Sequence, residues 1–101
     1  MAYQNTHLEA IISAAIGDDP SLMRDLRQAF MGSAEEYVAA LGQATSIHEW
    51  QMAAWRFKGL CATFGVQELA GLAAEATASS NGDIAILRRI RAALTDLAAQ
   101  D

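Results

Sequence analysis

The sequence has one cysteine, one proline and no long apolar run. Because Cys61 is alone, the chain forms no internal disulfide, and no cysteine metal cluster is indicated. No apolar stretch approaches the roughly 20 residues that a membrane-spanning helix needs. The N-terminus has no basic region followed by a long apolar run, so we expect no signal peptide and a cytoplasmic protein that does not bind membranes.

Motifs for catalysis are also missing. The sequence contains no Gly-rich phosphate loop, no Ser/His/Asp set and no metal-ligand spacing. We therefore expect no self-contained enzyme, no cofactor and no bound metal. The formal net charge of −5 argues against a general nucleic-acid binder, because such proteins show a basic face.

The composition that is present favours helices. A chain of 101 residues makes one domain, residues 1–101. A hydrophobic fraction of 52% with 19% charged residues is typical of a globular protein and excludes disorder. Alanine and leucine dominate, and both are strong helix formers. The predicted fold class is all-α.

Capping signals predict where the helices begin and end. Thr6 to Glu9 and Ser46 to Glu49 both have the spacing of a capping box, and Asp19-Pro20 has the chemistry of a helix start. Gly17, Gly65 and the turn at 79–82 supply stops. The predicted helices are a short one from Thr6 to Ile16, then Pro20 to about Gln43, Ser46 to about Phe64, Val66 to Ala78, and Asp83 to about Ala99.

The apolar residues recur with a helical period, and the connections between helices are short. Short connections make successive helices antiparallel neighbours, so we expect an antiparallel up-down four-helix bundle with a short additional N-terminal helix. The expected core residues are Leu22, Leu26, Phe30, Tyr37 and Leu41; Trp50, Ala54, Phe57, Cys61 and Phe64; Leu69, Leu72, Ala73 and Ala76; and Ile84, Leu87, Ile90, Leu94 and Leu97.

The segment 54–59 reads Ala-Trp-Arg-Phe-Lys-Gly, with Gly65 and Leu69 beyond it. It resembles the signature of the histidine phosphotransfer (HPt) family: Ala-His-x-Leu-Lys-Gly, a second glycine six residues after the first, then an apolar residue. The likeness covers nearly the whole chain, because the turn at 17–19 and Phe30 also fill family positions. Trp55 stands where the family has its phosphorylated histidine.

The resemblance implies a phosphorelay module whose partner is the receiver domain of a response regulator or a hybrid sensor kinase. It also implies that Lys58 matches the lysine that assists the phosphoryl group. An indole cannot take a phosphoryl group as an imidazole can, because its nitrogen lone pair belongs to the aromatic system. We therefore expect no catalytic residue. The expected function is docking without phosphate transfer at Trp55, as a competitor or a scaffold.

A helical wheel separates Trp55 from the core. At about 100° per residue, Trp55 lies about 140° from Trp50 and on the side away from the apolar stripe. Tryptophan is enriched among the residues that dominate interface energy, and Gly59 leaves room for a partner to approach. The expected partner-binding residues are His48, Gln51, Met52, Trp55, Arg56, Lys58, Gly59 and Ala62.

Other interpretations remain open at this level. Trp55 is alternatively an ordinary apolar residue, half-buried against a neighbouring helix. His48, which lies two turns before Trp55, is an alternative phosphoacceptor. The chain is alternatively a helical interaction module with an unrelated partner, and Trp55 is either the natural residue or an introduced one.

Overall fold

The computed structural model describes residue 17 and residues 19–99, and it places them in four α-helices with no strand in that part of the chain. The predicted short N-terminal helix, with Thr6 and His7, lies outside the described residues. None of the described helices is long and apolar enough to cross a membrane. The helices are α1 (Pro20–Gln43), α2 (Ile47–Phe64), α3 (Gln67–Thr77) and α4 (Ile84–Ala99).

Side-chain caps fix the starts of α1 and α2. The Asp19 carboxylate accepts hydrogen bonds from the backbone N–H groups of Ser21 and Leu22, each at 3.1 Å. The Ser46 hydroxyl accepts from the N–H of Glu49 at 3.1 Å. Both caps satisfy backbone donors that a helix start leaves unpaired, which is why these helices begin where the sequence predicts.

One half of the second capping box differs from the prediction. The Glu49 carboxylate does not reach back to the N–H of the N-cap residue. It accepts instead from the backbone N–H of Thr45 at 2.9 Å and from the Thr45 hydroxyl at 3.0 Å. Because Thr45 offers two donors to one carboxylate oxygen, the Glu49 side chain makes two hydrogen bonds here. The glutamate of a capping box makes one.

Glycine ends α2. Gly65 adopts a left-handed conformation (φ 71°), its N–H donates to the Ala62 carbonyl, and the N–H of Val66 donates to the Cys61 carbonyl at 2.9 Å. This pair of bonds is a Schellman motif, which turns the chain sharply after a helix. Gly65 and Val66 then separate α2 from α3, one residue more than the sequence predicts.

The four helices enclose one apolar core. Helix α2 contacts α1 and α3, and α4 contacts α3 and α1, so the elements form a closed, bundle-like ring. The largest fully buried side chains come from all four helices, and a Phe30–Phe64 ring contact joins α1 to the end of α2. These fully buried side chains are Trp50, Phe30, Phe57, Leu41, Leu69, Ile90 and Cys61.

Two residues assigned to the core are exposed. Leu22 is 41% exposed and Ile84 is 62% exposed. Both lie at a helix start and off the buried face: Leu22 is about 120° around the helix from Ala34, and Ile84 is about 120° from Ile90. Ile86, about 40° from Ile90, is buried in place of Ile84.

Candidate functional site on the outer face of α2

Helix α2 has an inner face and an outer face of different character. Trp50, Ala54, Phe57 and Cys61 on the inner face are completely buried. The residues on the other side are exposed, apart from Met52, which is half-buried. We call this second side the outer face of α2 and define it by the predicted residues His48, Gln51, Met52, Trp55, Arg56, Lys58, Gly59 and Ala62.

Trp55 is the most exposed large apolar residue of the described chain, with 65% of its surface accessible. The half-buried alternative is therefore wrong. Isolated exposed apolar residues are common, but a side chain this large gains little from folding when most of its surface stays in water. Its neighbours Arg56 and Lys58 are exposed as well.

The motif itself divides between the two faces. Ala54, Phe57 and Leu69 are buried, so these motif residues contribute to packing. Lys58 and Gly59 lie on the surface beside Trp55. Packing therefore explains the apolar half of the motif, and it does not explain the half that faces solvent.

Packing within the described structure does not require a glycine at position 59. A Cβ added there would meet no atom within 4 Å, so no part of the described structure needs the space. The Gly59 carbonyl accepts a hydrogen bond from the Thr63 hydroxyl at 2.9 Å, an i−4 bond within the helix. A glycine inside a helix costs stability relative to alanine. Gly32 and Gly71 are equally open, but Gly59 is the one that lies beside Trp55 on the outer face of α2.

A groove of about 340 Å³ lies beside Trp55. Helix α2 supplies most of the lining, and Tyr37 of α1 supplies the opposite wall. Tyr37 is predicted to be a core residue; in the structure it is half-buried, packs against the core and also lines this groove. The lining residues are Tyr37, Trp55, Arg56, Lys58, Gly59 and Ala62.

A second groove, of about 450 Å³, continues toward the start of α2. It shares Tyr37 and Arg56 with the first groove, and it is also lined by His48 and Met52. The two grooves together bring seven of the eight residues of the outer face to one surface. Gln51 is exposed but lines neither groove.

Two groups near this helix have shifted pKa values. Hydrogen bonds from the backbone and then the side chain of Thr45 lower the pKa of Glu49, so its carboxylate stays ionised at the start of α2. Burial raises the pKa of the Cys61 thiol to about 12, which leaves it protonated and unreactive. Cys61 therefore serves the core and not the outer face.

The outer face of α2 presents groups that could bind a partner. Within residues 19–99 no group of three His, Cys, Asp or Glu side chains is placed to hold a metal ion. The outer face offers an exposed indole, two cations and an open glycine, which are features of a recognition surface. No family model matches the chain, and neither a curated protein nor a solved structure matches it.

Proposed function

We propose that the chain is an HPt-like signalling module that docks a receiver domain of a response regulator or a sensor kinase without carrying phosphate at Trp55. The observation that carries the proposal is the position of Trp55, 65% exposed beside Lys58 and Gly59. In the resemblance Trp55 stands at the phosphohistidine position and Lys58 and Gly59 lie beside it, and all three are exposed to a partner.

The proposed topology is an antiparallel up-down four-helix bundle, as the short connections between the helices predict. Contacts between helix ends support it. The Trp50 indole N–H, near the start of α2, donates to the Ala76 carbonyl near the end of α3 at 2.8 Å. The Arg27 guanidinium, in the first half of α1, donates to the Leu97 carbonyl near the end of α4 at 3.1 Å.

The proposed role is non-catalytic because of the chemistry of the indole. A phosphorelay needs a nucleophile that accepts a phosphoryl group from an aspartyl phosphate and gives it back, and tryptophan has no free lone pair for that bond. The module would then compete with a phosphocarrier for the receiver or hold the receiver in place. A cytoplasmic location is part of the proposal.

The test combines binding and transfer in one protein set. A panel of receiver domains and sensor kinases is titrated against the chain by calorimetry, and phosphorylated receivers are then incubated with it. We expect saturable binding to at least one partner and no acid-labile phosphate on the chain. Trp55→His, with Lys58 and Gly59 already in place, should gain phosphate from the same partner. Rapid transfer to the unmodified protein would contradict the proposal.

A second candidate function is phosphate transfer through His48. It is favoured by the position of His48, which is exposed and lines the groove that shares Arg56 with the Trp55 groove. If His48 is the phosphoacceptor, the unmodified chain takes phosphate and His48→Ala does not. A chain that binds no receiver or kinase at all would instead be a helical interaction module with an unrelated partner.

A further inference from the structure

The groove beside Trp55 has aromatic residues on two different helices. Trp55 of α2 and Tyr37 of α1 both line it, and Gly59 and Ala62 add little bulk to the lining. The Trp55 ring is mostly exposed and so keeps much of its surface available for stacking. Flat aromatic ligands stack on such rings. Nucleobases do so whatever their identity, because every base has a π-face.

The charge of the groove is positive although the protein is acidic. Arg56 and Lys58 line it, Lys58 is the only lysine of the chain, and no carboxylate is among its described lining residues. The whole chain has a formal net charge of −5. The cations at this site therefore favour a small anion locally, while the overall charge disfavours a polyanion such as a nucleic acid.

From the aromatic walls and the two cations we infer that the Trp55 groove binds a mononucleotide. The base stacks on the Trp55 ring, the phosphate pairs with the Arg56 guanidinium, and Lys58 adds to the positive charge of the groove. A groove of about 340 Å³ is at the small end of ligand sites, which span roughly 300–1,000 Å³, and so suits one nucleotide better than a dinucleotide.

Gly59 fits this inference. Gly59 lines the groove, and a Cβ there would meet no protein atom within 4 Å, so this part of the groove is open to a ligand. The nucleotide site does not depend on the proposed receiver docking, but the two share Trp55 and Lys58. Bound nucleotide and a docked partner would therefore exclude each other, and nucleotide binding is measured with the chain alone.

The test is a calorimetric titration of the full chain with adenosine 5′-monophosphate, adenosine and inorganic phosphate. If both the aromatic rings and the cations contribute to binding, the titration with the monophosphate reaches saturation. Adenosine and phosphate should each bind at least about tenfold more weakly. Trp55→Ala and Arg56→Gln should each weaken monophosphate binding by about tenfold, because one removes the stacking surface and the other a phosphate partner.

Matched controls lie outside the groove. Arg88→Gln removes the same charge as Arg56→Gln from an exposed position of α4, and Ile84→Ala removes another exposed apolar side chain. Both should leave nucleotide binding unchanged. No saturation up to about 1 mM monophosphate would overturn the inference. If phosphate and the monophosphate bind equally well and Trp55→Ala has no effect, the site only attracts anions and the inference is wrong. Tighter binding of a single-stranded oligonucleotide would show that the ligand class is wrong.

Discussion

Trp50 and Trp55 are the two tryptophans of the chain, five residues apart on one helix, and their environments are opposite. Trp50 is completely buried, and its indole N–H donates to the Ala76 carbonyl at 2.8 Å. Trp55 is 65% exposed. A helix turns about 100° per residue, so a separation of five places the two rings about 140° apart.

The difference shows which tryptophan the fold needs. Trp50 fills the space between α2 and α3, satisfies its polar atom there and so stabilises the protein. Trp55 leaves most of its apolar surface in water, so folding gains little from it. The fold therefore does not explain Trp55, and we propose that its role is recognition.

The largest expected effect is on stability, from truncating the buried ring. Trp50→Ala should lower the free energy of unfolding by about 3–5 kcal/mol, because it removes a large buried side chain and leaves a cavity. Trp55→Ala should change it by about 0.5 kcal/mol or less. Urea denaturation followed by circular dichroism measures both.

A milder variant keeps this test informative if Trp50→Ala does not fold. Trp50→Phe retains an aromatic ring but loses the N–H donor, and should cost about 1–3 kcal/mol from the lost volume and hydrogen bond. The Ala76 carbonyl keeps the Ser79 hydroxyl as a donor at 2.9 Å, so it is not left unpaired. If Trp55→Ala proved as destabilising as Trp50→Phe, Trp55 would be a structural residue.

The second prediction concerns partner binding, where Trp55 should matter most. Trp55→Ala should weaken binding of the receiver or kinase by about 2 kcal/mol or more, the usual threshold for an interface anchor. Ile84→Ala is the matched control, because Ile84 is 62% exposed but lies on α4. Calorimetry with the partner found in the panel measures both variants, and equal losses would mean that exposed apolar area in general, and not the outer face of α2, governs binding.

Much of the fold was predictable from local signals. Asp19, Ser46 and Gly65 set helix ends through caps and a left-handed residue, and these act over a few residues of sequence. The buried face of α3 was also predictable, since Leu69, Leu72, Ala73 and Ala76 repeat with the helical period. The split of α2 into Trp50 and Trp55 sides follows from the same period.

What the sequence did not reveal depends on how helices pack against one another. Tyr37 lies near the buried stripe of α1, yet it opens onto the grooves shared with α2. Only the relative rotation and separation of the two helices decide that, and periodicity within one helix carries no such information. The prediction that Leu22 and Ile84 are buried was wrong for a simpler reason. Each lies in the first turn of its helix and off the buried face.

A third prediction concerns Gly59 and sharpens the separation of binding from folding. Gly59→Ala and Gly71→Ala should each stabilise the protein by roughly 0.5–1 kcal/mol, because both glycines lie in helices and a Cβ at either would meet no atom within 4 Å. Only Gly59→Ala places a methyl group on the outer face of α2. Urea denaturation should therefore rank the two variants alike, while partner titration should show weaker binding for Gly59→Ala alone. Weaker binding by Gly71→Ala would contradict this assignment.

The smallest expected effect is at the start of α2, one residue before Trp50. The pKa of Glu49 is lowered in the folded state, so its ionised form stabilises the fold above the ordinary glutamate pKa of about 4.3. That contribution is lost as the pH falls through the lowered value, since the protonated carboxyl accepts less well from Thr45. Comparing the unfolding free energy of the wild type with Glu49→Gln between neutral and strongly acidic pH should give a difference that shrinks on acidification. Glu68→Gln is the control, because Glu68 also lies in the first turn of a helix. A difference for Glu49→Gln that stays constant with pH would mean that the Thr45 contacts contribute nothing through charge to the start of the helix that carries both tryptophans.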